Sequence, residues 1–446
     1  MSLIRGGLLV GHLNGSVRKI IFSGSIVLLI TILFLFKYMF NIAVSITSIL
    51  GHNGDFSFLK LGAVIGLSYY TLSAIGYLVD VYWENTPACK NIFDVFLFIF
   101  FFPQLISGPI TRFGKMNPQF DQVKAFDSVR VINGIRRMAW GYFKKLVVSE
   151  RFSLIVNVVY TGYSEYGFFQ ILGASLCYAM QLYTDFSGCM DIVMGAAYMF
   201  GIDLPENFNA PFFSETLQEF WQRWHITLGL WFKDYLMYPV QKSSLVQKLG
   251  KKSKKAFGKK AGKKIPLYFS MLILWFLLGL WHGGTLQYFI ASGVIPFIFL
   301  TVSDLCQPAF KAITKALKIN PGRVGWKAFR IVRTSLFMCI IWAVICSGEI
   351  NYFFALAGHS FTHLIGYKSV SDIIAVTGLE TMDLFLMAIG TLLVFAADYC
   401  TYRGESIFKV MDRQKGTVRV LCVYAEVFII FVYGMVGQSP FIYFQF

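Results

Sequence analysis

Long apolar runs alternate with short polar connections along most of the chain. Several of these runs reach or approach the length of about 20 residues that a helix needs to cross a bilayer. The apolar runs, long and short together, cover residues 20–40, 59–82, 168–183, 265–280, 288–302, 336–346, 384–397 and 418–436. The pattern predicts an all-α, polytopic membrane protein with about 8–11 membrane helices.

Residues 91–111 are apolar enough to enter the bilayer, but Pro103 and the pair Gly108-Pro109 interrupt any helix there. Irregular backbone is tolerated at membrane depth only where it is buried in protein or lines a cavity. We therefore predict a re-entrant segment that shapes a cavity, and we assign Pro103 and Gln104 to its lining. A loop just outside the membrane fits the same residues nearly as well.

Residues 207–240 are too polar to span the bilayer and instead predict one amphipathic helix, with Ser214 as its N-cap and Pro239 as its stop. Its apolar stripe consists of residues three or four apart, namely Leu217, Phe220, Trp224, Leu228, Trp231 and Tyr235. His225 and Gln222 belong to a polar row about 100° away. The helix would lie at the membrane interface or around a polar pocket. At the interface, His225 would simply be an exposed histidine.

Asp185 and Asp191 flank a Ser187-Gly188 pair that interrupts the apolar run between residues 168 and 200. The pattern predicts a polar turn that faces a cavity. Because the two acids are six residues apart, they would point about 120° apart on a helix and would not form a pair on one face. We therefore predict capping or scaffold roles for them rather than a paired-acid mechanism.

The composition supports a membrane protein. A soluble protein contains about a quarter charged residues, whereas this chain of 446 residues is 14% charged and 56% hydrophobic. We predict one membrane domain, with an N-terminal span in 1–57, a core in 58–306 and C-terminal spans in 307–446. The first apolar run is long and has no small-residue cleavage site, so we predict no cleavable signal peptide. The eight cysteines include no Cys-x-x-Cys pair, and neither a metal site nor a disulfide framework is indicated.

The net charge of +16 is concentrated in basic segments between the apolar runs, and residues 242–264 alone hold ten lysines and no acid. Basic connections typically face the cytoplasm, so we predict a cytoplasmic loop at 242–264 and cytoplasmic connections at 308–333 and 403–419. Binding to anionic lipid headgroups is compatible with this topology, whereas no nucleic-acid partner is predicted. For the basic residues 112–151 to obey the same rule, either 91–111 is re-entrant or one of the predicted spans is wrong. The prolines of 91–111 favour re-entrance.

With these connections in the cytoplasm, residues 265–282 and 285–306 form an out-and-back hairpin that carries His282 roughly 25 Å from its cytoplasmic end. A histidine at this depth is costly to bury and is therefore a candidate functional residue. Imidazole titrates near neutral pH, which suits it to carry protons. Gly279 and Gly283 have the four-residue spacing that allows close helix packing. A histidine satisfied by a backbone carbonyl would fit the sequence equally well.

Several blocks of sequence resemble one known family. They are Phe102-Pro-Gln-Leu-Ile-Ser-Gly-Pro-Ile110, Gln181-Leu-Tyr-Thr-Asp-Phe-Ser-Gly188, Leu204-Pro-Glu-Asn-Phe-Asn209, Glu219-Phe-Trp-Gln-Arg-Trp-His-Ile226, Trp231-Phe-Lys-Asp-Tyr-Leu236 and Gly279-Leu-Trp-His-Gly283. The set resembles the membrane-bound O-acyltransferase (MBOAT) superfamily, in its bacterial branch of alginate O-acetyltransferase-like and teichoic-acid D-alanyl-transfer proteins. The ending Pro440-Phe-Ile-Tyr-Phe-Gln-Phe446 is more similar to the alginate-type branch.

This resemblance implies a ring of helices around a thinned centre, in which a cytoplasmic thioester donor meets an acceptor from outside. It implies a catalytic histidine at His282 and a second functional histidine at His225. Other residues of the blocks receive supporting or channel-lining roles, namely Trp281, Trp224, Arg223, Gln222, Asp185, Pro103 and Gln104. The implied donor is acyl-CoA, most simply acetyl-CoA, and no permanently bound cofactor or metal is expected.

The implied surroundings are those of a bacterial plasma-membrane enzyme. The expected partners are membrane lipid, the thioester donor, a separate extracytoplasmic acyltransferase of the SGNH-hydrolase type and a polysaccharide acceptor. Family members usually carry several dozen more residues, with two or so spans, before the point where Met1 falls. We therefore expect a shorter natural variant, a truncated gene or an alternative start.

The chemistry that the resemblance implies suits these residues. Acyl transfer from a thioester to a hydroxyl needs a base for the hydroxyl proton and a donor to the developing oxyanion. We assign the first role to His282, while His225 or Gln222 would orient the acceptor or polarise the thioester carbonyl. Lys233 and the lysines of 242–264 would attract the phosphates of coenzyme A as point charges.

Two other functions fit the same residues. D-alanyl transfer to teichoic acid would use a carrier-protein thioester as donor, and the lysines would then provide a docking surface for an acidic carrier. A transporter or flippase would use the histidines to line a path without covalent chemistry. The sequence shows no inverted repeat, which many secondary transporters contain.

Overall fold

The computed structural model describes residues 15–40, 66–122, 125–283 and 285–439, together with residues 7, 10, 11, 13, 42, 43 and 64. Within these residues the regular secondary structure is helical and includes no β-strand. In chain order the helices are α1 (Gly15–Lys37), α2 (Leu67–Tyr82), α3 (Ile92–Ile99), α4 (Phe113–Phe120), α5 (Ser128–Tyr142), α6 (Glu150–Thr161), α7 (Phe168–Met199), α8 (Leu217–Arg223), α9 (Ile226–Phe232), α10 (Tyr238–Lys242), α11 (Ser244–His282), α12 (Leu286–Phe289), α13 (Ile295–Ala316), α14 (Val324–Cys346), α15 (Ile350–Thr362), α16 (Val370–Thr377), α17 (Thr381–Tyr402), α18 (Ile407–Asp412) and α19 (Gly416–Tyr433).

Shorter helical turns join some of these helices. Wide π-helical turns connect α5 to α6, α9 to α10 and α12 to α13, at Phe143–Ser149, Lys233–Met237 and Ile290–Val294. Tighter 3₁₀ turns lie at Phe102–Gln104, Tyr163–Glu165 and Pro211–Phe213. Part of the predicted second span (residues 59–63 and 65), Gly284 and the family-like ending at 440–446 lie outside the described residues.

Six of the described helical stretches are long and apolar enough to cross a membrane. They are Gly15–Lys37, Ser244–His282, Leu286–Ala316, Val324–Cys346, Thr381–Tyr402 and Gly416–Tyr433. Large apolar side chains on their outward faces, such as Phe276, Phe385 and Phe431, are exposed, as contact with lipid requires. The prediction of an all-α, polytopic membrane protein is confirmed. The full number of membrane helices and the division at residues 57 and 306 stay predictions.

Helix α7 lies at the centre of the fold, in contact with α5, α6 and α14. The predicted polar turn at Ser187-Gly188 is wrong, because α7 runs unbroken through both residues. Gly188 instead lets α5 approach closely, since a Cβ at this position would lie 2.8 Å from the carbonyl oxygen of Gly141. The missing side chain therefore serves helix packing rather than a change of direction.

The basic segment 112–151 folds mainly into helices packed on α7, instead of forming a simple connection outside the membrane. Lys144 and Lys145 lie in the π-helical turn after α5 and are buried. Their ammonium groups pair with acids of α7, Lys144 with Asp191 and Lys145 with Asp185, both at 2.6 Å. The two acids thus have the predicted scaffold role, because they neutralise cations that would be costly to bury alone.

The lysine-rich residues 242–264 form a helical hairpin, so the predicted loop is wrong. They belong to the end of α10 and the first part of α11, which turns sharply at Gly258 (φ 85°). The chain then packs back on itself, since a Cβ at Gly262 would lie 2.6 Å from the Cβ of Lys254. Lysine has good helix propensity, which favours helices on both sides of the turn. We call residues 244–264 the lysine hairpin.

The predicted out-and-back pair after residue 264 is confirmed by the contacts of α11 with α12, α13 and the π-helical turn between them. The helices meet at two glycines, because a Cβ at Gly279 would lie 3.0 Å from the Cα of Gly293. The close packing predicted at Gly279 is therefore confirmed. It fixes the end of α11, where His282 is the last helical residue.

The predicted interruption within residues 91–111 is also confirmed. Helix α3 ends at Ile99, and a 3₁₀ turn that contains Pro103 follows. The side chain of Gln104 donates a hydrogen bond to the carbonyl oxygen of Pro109 at 2.9 Å and so closes the irregular backbone on itself. Whether this segment is re-entrant stays a prediction.

The packing of α5 on α7 yields a stability prediction. We expect Gly188→Ala to lower the thermal unfolding midpoint of the detergent-purified protein, because overpacking against the Gly141 carbonyl costs about 1–3 kcal/mol. Gly173→Ala is the matched control, since it lies in the same helix with no atom within 4 Å of an added Cβ. Its midpoint should stay unchanged or rise, as alanine favours helix. Equal midpoints for the two variants would contradict this packing.

Candidate active site

The chain between residues 214 and 239 is not one helix, so that prediction is wrong. Helix α8 begins after Thr216, whose hydroxyl accepts from the Glu219 N–H at 3.1 Å, so Thr216 rather than Ser214 is the N-cap. The helix breaks at His225, which has left-handed backbone angles (φ 48°, ψ 51°), and Pro239 lies inside α10 instead of ending a helix. Such a backbone at a non-glycine residue costs energy and is often found at functional sites.

The break at His225 is held by Asn207. The start of a helix leaves backbone N–H groups without partners in the helix. Here the carbonyl of Asn207 accepts from the Ile226 N–H at 3.0 Å. Its side-chain Oδ1 accepts from the Thr227 N–H at 3.1 Å and from the Thr227 hydroxyl at 2.7 Å. The backbone and side-chain oxygens of Asn207 therefore accept hydrogen bonds from the N–H groups that the break would otherwise leave unpaired.

Asn207 also sets the proton position on His225, whose Nδ1 lies 3.4 Å from the same Oδ1. The Thr227 N–H can only donate, so the atom of Asn207 that faces it is the amide oxygen, which can only accept. In a neutral imidazole, Nδ1 therefore carries the proton toward Asn207, and Nε2 is the acceptor nitrogen.

His225 is 4% exposed, so the alternative of an exposed interfacial histidine is wrong. Its ring packs edge-on against Phe186, with ring centres 4.8 Å apart, and lies 6.2 Å from the ring of Trp281. It lies outside the six long apolar helices. Burial, and then the nearby His282, lower the pKa of His225 well below its usual range. His225 is therefore neutral at physiological pH.

The indole of Trp281 contacts both histidines. Its ring centre lies 5.1 Å from that of His282 and 6.2 Å from that of His225, with edge-to-face geometry in both pairs. Tyr69 of α2 packs edge-on against the same indole at 5.8 Å. The structure thus brings His225 to the adjacent residues Trp281 and His282 at the junction of α9, α11 and α2, although His225 is far from them in sequence.

The irregular segment after α3 reaches this junction. The backbone N–H of Ile110 donates to the Thr227 hydroxyl at 2.9 Å, and this contact is buried. Thr227 is two residues from His225 and is itself bonded to Asn207. Pro103 and Gln104 lie at the start of the same irregular stretch, some distance along the chain from the part that reaches the histidines. Their role is to stabilise the backbone of that stretch.

The remaining predicted site residues lie in other surroundings. Trp224 is buried in an aromatic cluster and packs against Trp342, with ring centres 4.7 Å apart. Arg223 pairs with Glu219 at 3.0 Å and donates to the Asn209 carbonyl at 3.0 Å, so it braces the loop that carries Asn207. These residues support the junction from outside.

Three further predicted residues are placed away from the indole of Trp281. Gln222 is exposed on α8, and Lys233 is exposed with its ammonium 5.6 Å from the ring of Tyr238. Asp185 is buried in its ion pair with Lys145. It precedes Phe186, which contacts His225, so its ion pair helps to fix that contact.

Sequence reasoning missed two residues at the junction, Asn207 and Lys37. Asn207 belongs to the block 204–209. The sequence gives no sign that its amide caps a helix beginning at Ile226, because the two residues are far apart in the chain. Lys37 ends an apolar run with no other charge between residues 20 and 36. A lysine at that position usually extends to the membrane surface. The inward direction of the Lys37 side chain was therefore not predicted.

Two cavities approach the flanks of His225. One of about 420 Å³ is lined by Asn207 and Ile226 and carries charges of both signs, from Arg137, Lys144, Asp191, Glu206, Asp398 and Glu405. Another of about 390 Å³ is lined by Thr227, Ile110 and residues of α4. In the part of the chain that the structure describes, no three His, Cys, Asp or Glu side chains are arranged to hold a metal ion.

Comparison with known proteins gives the family. Residues 28–349 match the sequence profile of MBOAT, the membrane-bound O-acyltransferase family. The chain belongs to this family. It is a multi-pass membrane protein, and the junction of His225, Trp281 and His282 lies within the matched residues.

Individual relatives are similar over much of the chain. A probable alginate O-acetylase AlgI of Pseudomonas syringae is 30% identical over 331 residues, 74% of this chain and 58% of the relative. A peptidoglycan O-acetyltransferase of Helicobacter pylori is 27% identical over 431 residues, 88% of this chain and 76% of the relative. A teichoic acid D-alanyltransferase of Bacillus subtilis is 28% identical over 297 residues, 63% of this chain and 68% of the relative. The alignments to the alginate O-acetylases span 48–64% of their length.

The bonding at Asn207 predicts that this residue stabilises the fold. We expect Asn207→Ala to lower the thermal unfolding midpoint, because it leaves buried donors of Thr227 unpaired at a cost of about 1–3 kcal/mol. Asn209→Ala is the control, since that side chain is exposed and its hydrogen bonds to Arg223 use the backbone. Unchanged unfolding of Asn207→Ala would contradict the role assigned to its amide.

Proposed function

We propose that this protein is a membrane O-acyltransferase that moves an acetyl group from a cytoplasmic thioester toward hydroxyl groups of a cell-surface glycan. The observation that carries the proposal is the contact of two histidines with one indole in a member of the MBOAT family. A pair of imidazoles in one protected site is suited to proton transfer between a hydroxyl and a thiol.

In the proposed reaction, His282 is the general base. It takes the proton of the acceptor hydroxyl while the hydroxyl oxygen forms a bond to the thioester carbonyl carbon. The carbonyl oxygen then carries the negative charge of the tetrahedral intermediate. When the carbon–sulfur bond breaks, the thiolate leaves and takes the proton back from His282, so that one ester and one thiol are formed.

The second histidine would orient the acceptor. With its Nδ1 proton directed to Asn207, a neutral His225 offers Nε2 as an acceptor nitrogen. It can accept a hydrogen bond from a second hydroxyl of the acceptor glycan, since the one proton of the reacting hydroxyl goes to His282. It cannot donate a hydrogen bond from Nε2 to the thioester carbonyl. Of the two roles that the sequence leaves open for His225, the structure thus favours positioning of the acceptor.

The donor would approach from the side of the lysine hairpin, which we place in the cytoplasm on account of its charge. The cavity of about 420 Å³ leads from Glu405 and Ser406, in a connection with the same predicted location, to Asn207 beside His225. Acetyl-CoA suits this direction, because lysines attract its phosphates. Lys233 and the hairpin would contribute that attraction from the surface. This orientation would place the enzyme in the plasma membrane.

The names of the relatives support the acyl group and the acceptor class. The relatives from Pseudomonas and Helicobacter are named for O-acetylation of alginate and of peptidoglycan. The Helicobacter relative aligns over most of both chains, which favours a glycan of the cell envelope as acceptor. A separate extracytoplasmic acyltransferase of the SGNH type would complete the transfer to the polymer.

D-alanyl transfer is the second candidate, because two relatives are named teichoic acid D-alanyltransferases. It would use the same histidines with a carrier-protein thioester in place of acetyl-CoA. Donor preference separates the two functions: transfer only from a D-alanyl carrier thioester would replace our proposal with this one.

The direct test uses membranes that contain the chain and labelled acetyl-CoA. We expect label to pass to glycan and His282→Ala to reduce the rate at least about 100-fold, the loss typical of a missing general base. His363→Ala, at a half-buried histidine that directly follows α15, should leave the rate within about two-fold. Wild-type activity in His282→Ala would remove this residue from the mechanism, and transport of intact donor without thiol release would support a transporter instead.

A further inference from the structure

A lysine at the end of a largely exposed membrane helix points toward the junction of His225, Trp281 and His282. Helix α1 has only 6% of its most apolar stretch buried, and Lys37 is the one charged residue among residues 20–37. Its ammonium donates to the backbone carbonyl of Trp281 and, at 3.0 Å, to the hydroxyl of Ser68. A charge in a membrane helix is costly and usually has a function.

The described groups that contact this ammonium are uncharged. Besides the two oxygen acceptors, it lies 5.3 Å from the ring centre of Trp281 and 5.7 Å from that of Tyr38, where aromatic faces stabilise a cation. Among the residues that the structure describes, no carboxylate lies within 4.0 Å of it, unlike the buried Lys144 and Lys145. The oxygen acceptors and aromatic rings, rather than a carboxylate of the described residues, therefore hold the ammonium in place.

The position of Lys37 relates it to the reacting groups. It bonds to the backbone carbonyl of Trp281, whose indole contacts both histidines and which directly precedes His282 in the chain. A cation fixed beside the base is well placed for the negative charge that forms during attack on a thioester. An anion-stabilising group that is already oriented needs no rearrangement during the reaction.

We propose that Lys37 is a catalytic residue that stabilises the oxyanion of the tetrahedral intermediate. This role rests on the proposed acyl transfer. As the acceptor oxygen bonds to the carbonyl carbon and His282 takes its proton, the electron pair of the carbonyl bond moves to the oxygen. The ammonium of Lys37 donates a hydrogen bond to that oxygen and keeps its own protons. When the thiolate leaves, the carbonyl forms again and Lys37 is unchanged.

A structural role for Lys37 makes a different prediction. If the ammonium only ties α1 to the end of α11, its loss would loosen the junction and lower stability. If it stabilises the oxyanion, its loss would lower kcat with little change in the KM for the donor, because the interaction exists only in the transition state. Comparison of kcat, KM and unfolding midpoint thus separates the two roles.

The experiment compares Lys37→Met, Lys37→Arg and Lys19→Met, measured as thiol release from acetyl-CoA in membranes. Lys37→Met removes the charge at similar size, Lys37→Arg retains the charge, and Lys19→Met removes an exposed charge from the same helix. We expect Lys37→Met to lose about 100-fold in kcat, as for removal of one oxyanion donor. Lys37→Arg should recover at least about ten-fold of that loss, Lys19→Met should match wild type, and all donor KM values should stay within about three-fold.

Three results would overturn the role of Lys37. The first is a kcat of Lys37→Met within three-fold of wild type. The second is an equal loss in Lys37→Met and Lys37→Arg together with a matching fall in unfolding midpoint, which would leave only the structural tie. The third is a change confined to KM. A wild-type chain that releases no thiol would instead overturn the proposed function, and the role of Lys37 with it.

Discussion

The junction of His225, Trp281 and His282 depends on one constraint, which is that a helix broken inside an apolar bundle must have its free backbone groups satisfied. The break at His225 meets this constraint through Asn207, whose carbonyl and amide oxygens accept from Ile226 and Thr227. The same amide orients the imidazole. Without it the Thr227 donors would be left unpaired, and the imidazole of His225 would lose this partner. Stability and site geometry therefore rest on the same group.

A second network of buried ions fixes the helices behind the junction. Lys145 bridges Asp185 of α7 and Glu150 of α6, and Arg151 pairs with Asp383 of α17. All of these groups except the half-buried Asp383 are almost completely buried, where a single charge would be costly and a satisfied pair is tolerated. Because they join helices from early and late parts of the chain, they hold α7, and with it Phe186, in a fixed position against His225.

The apolar runs and the family blocks were sufficient to predict the fold class, the hairpin after residue 264 and the two histidines that meet at Trp281. They could not predict the break at His225, because its cause is an amide eighteen residues earlier in the chain. They also misplaced the polar turn at Ser187-Gly188, where glycine serves a helix that lies beside it in space. In both cases the backbone conformation is set by a contact with a residue distant in sequence, and not by the local preference of the residue itself. Lys37 was missed for the same reason.

The central claim is that His225 and His282 act as one unit on the same transferred group. The double variant His225→Ala/His282→Ala tests it against the two single variants, with thiol release from acetyl-CoA as the rate. Residues that act together are strongly non-additive. We therefore predict that the double variant is no more than about three-fold slower than His282→Ala alone. Losses that multiply would show that the two histidines serve separate steps or separate sites, and would contradict the account.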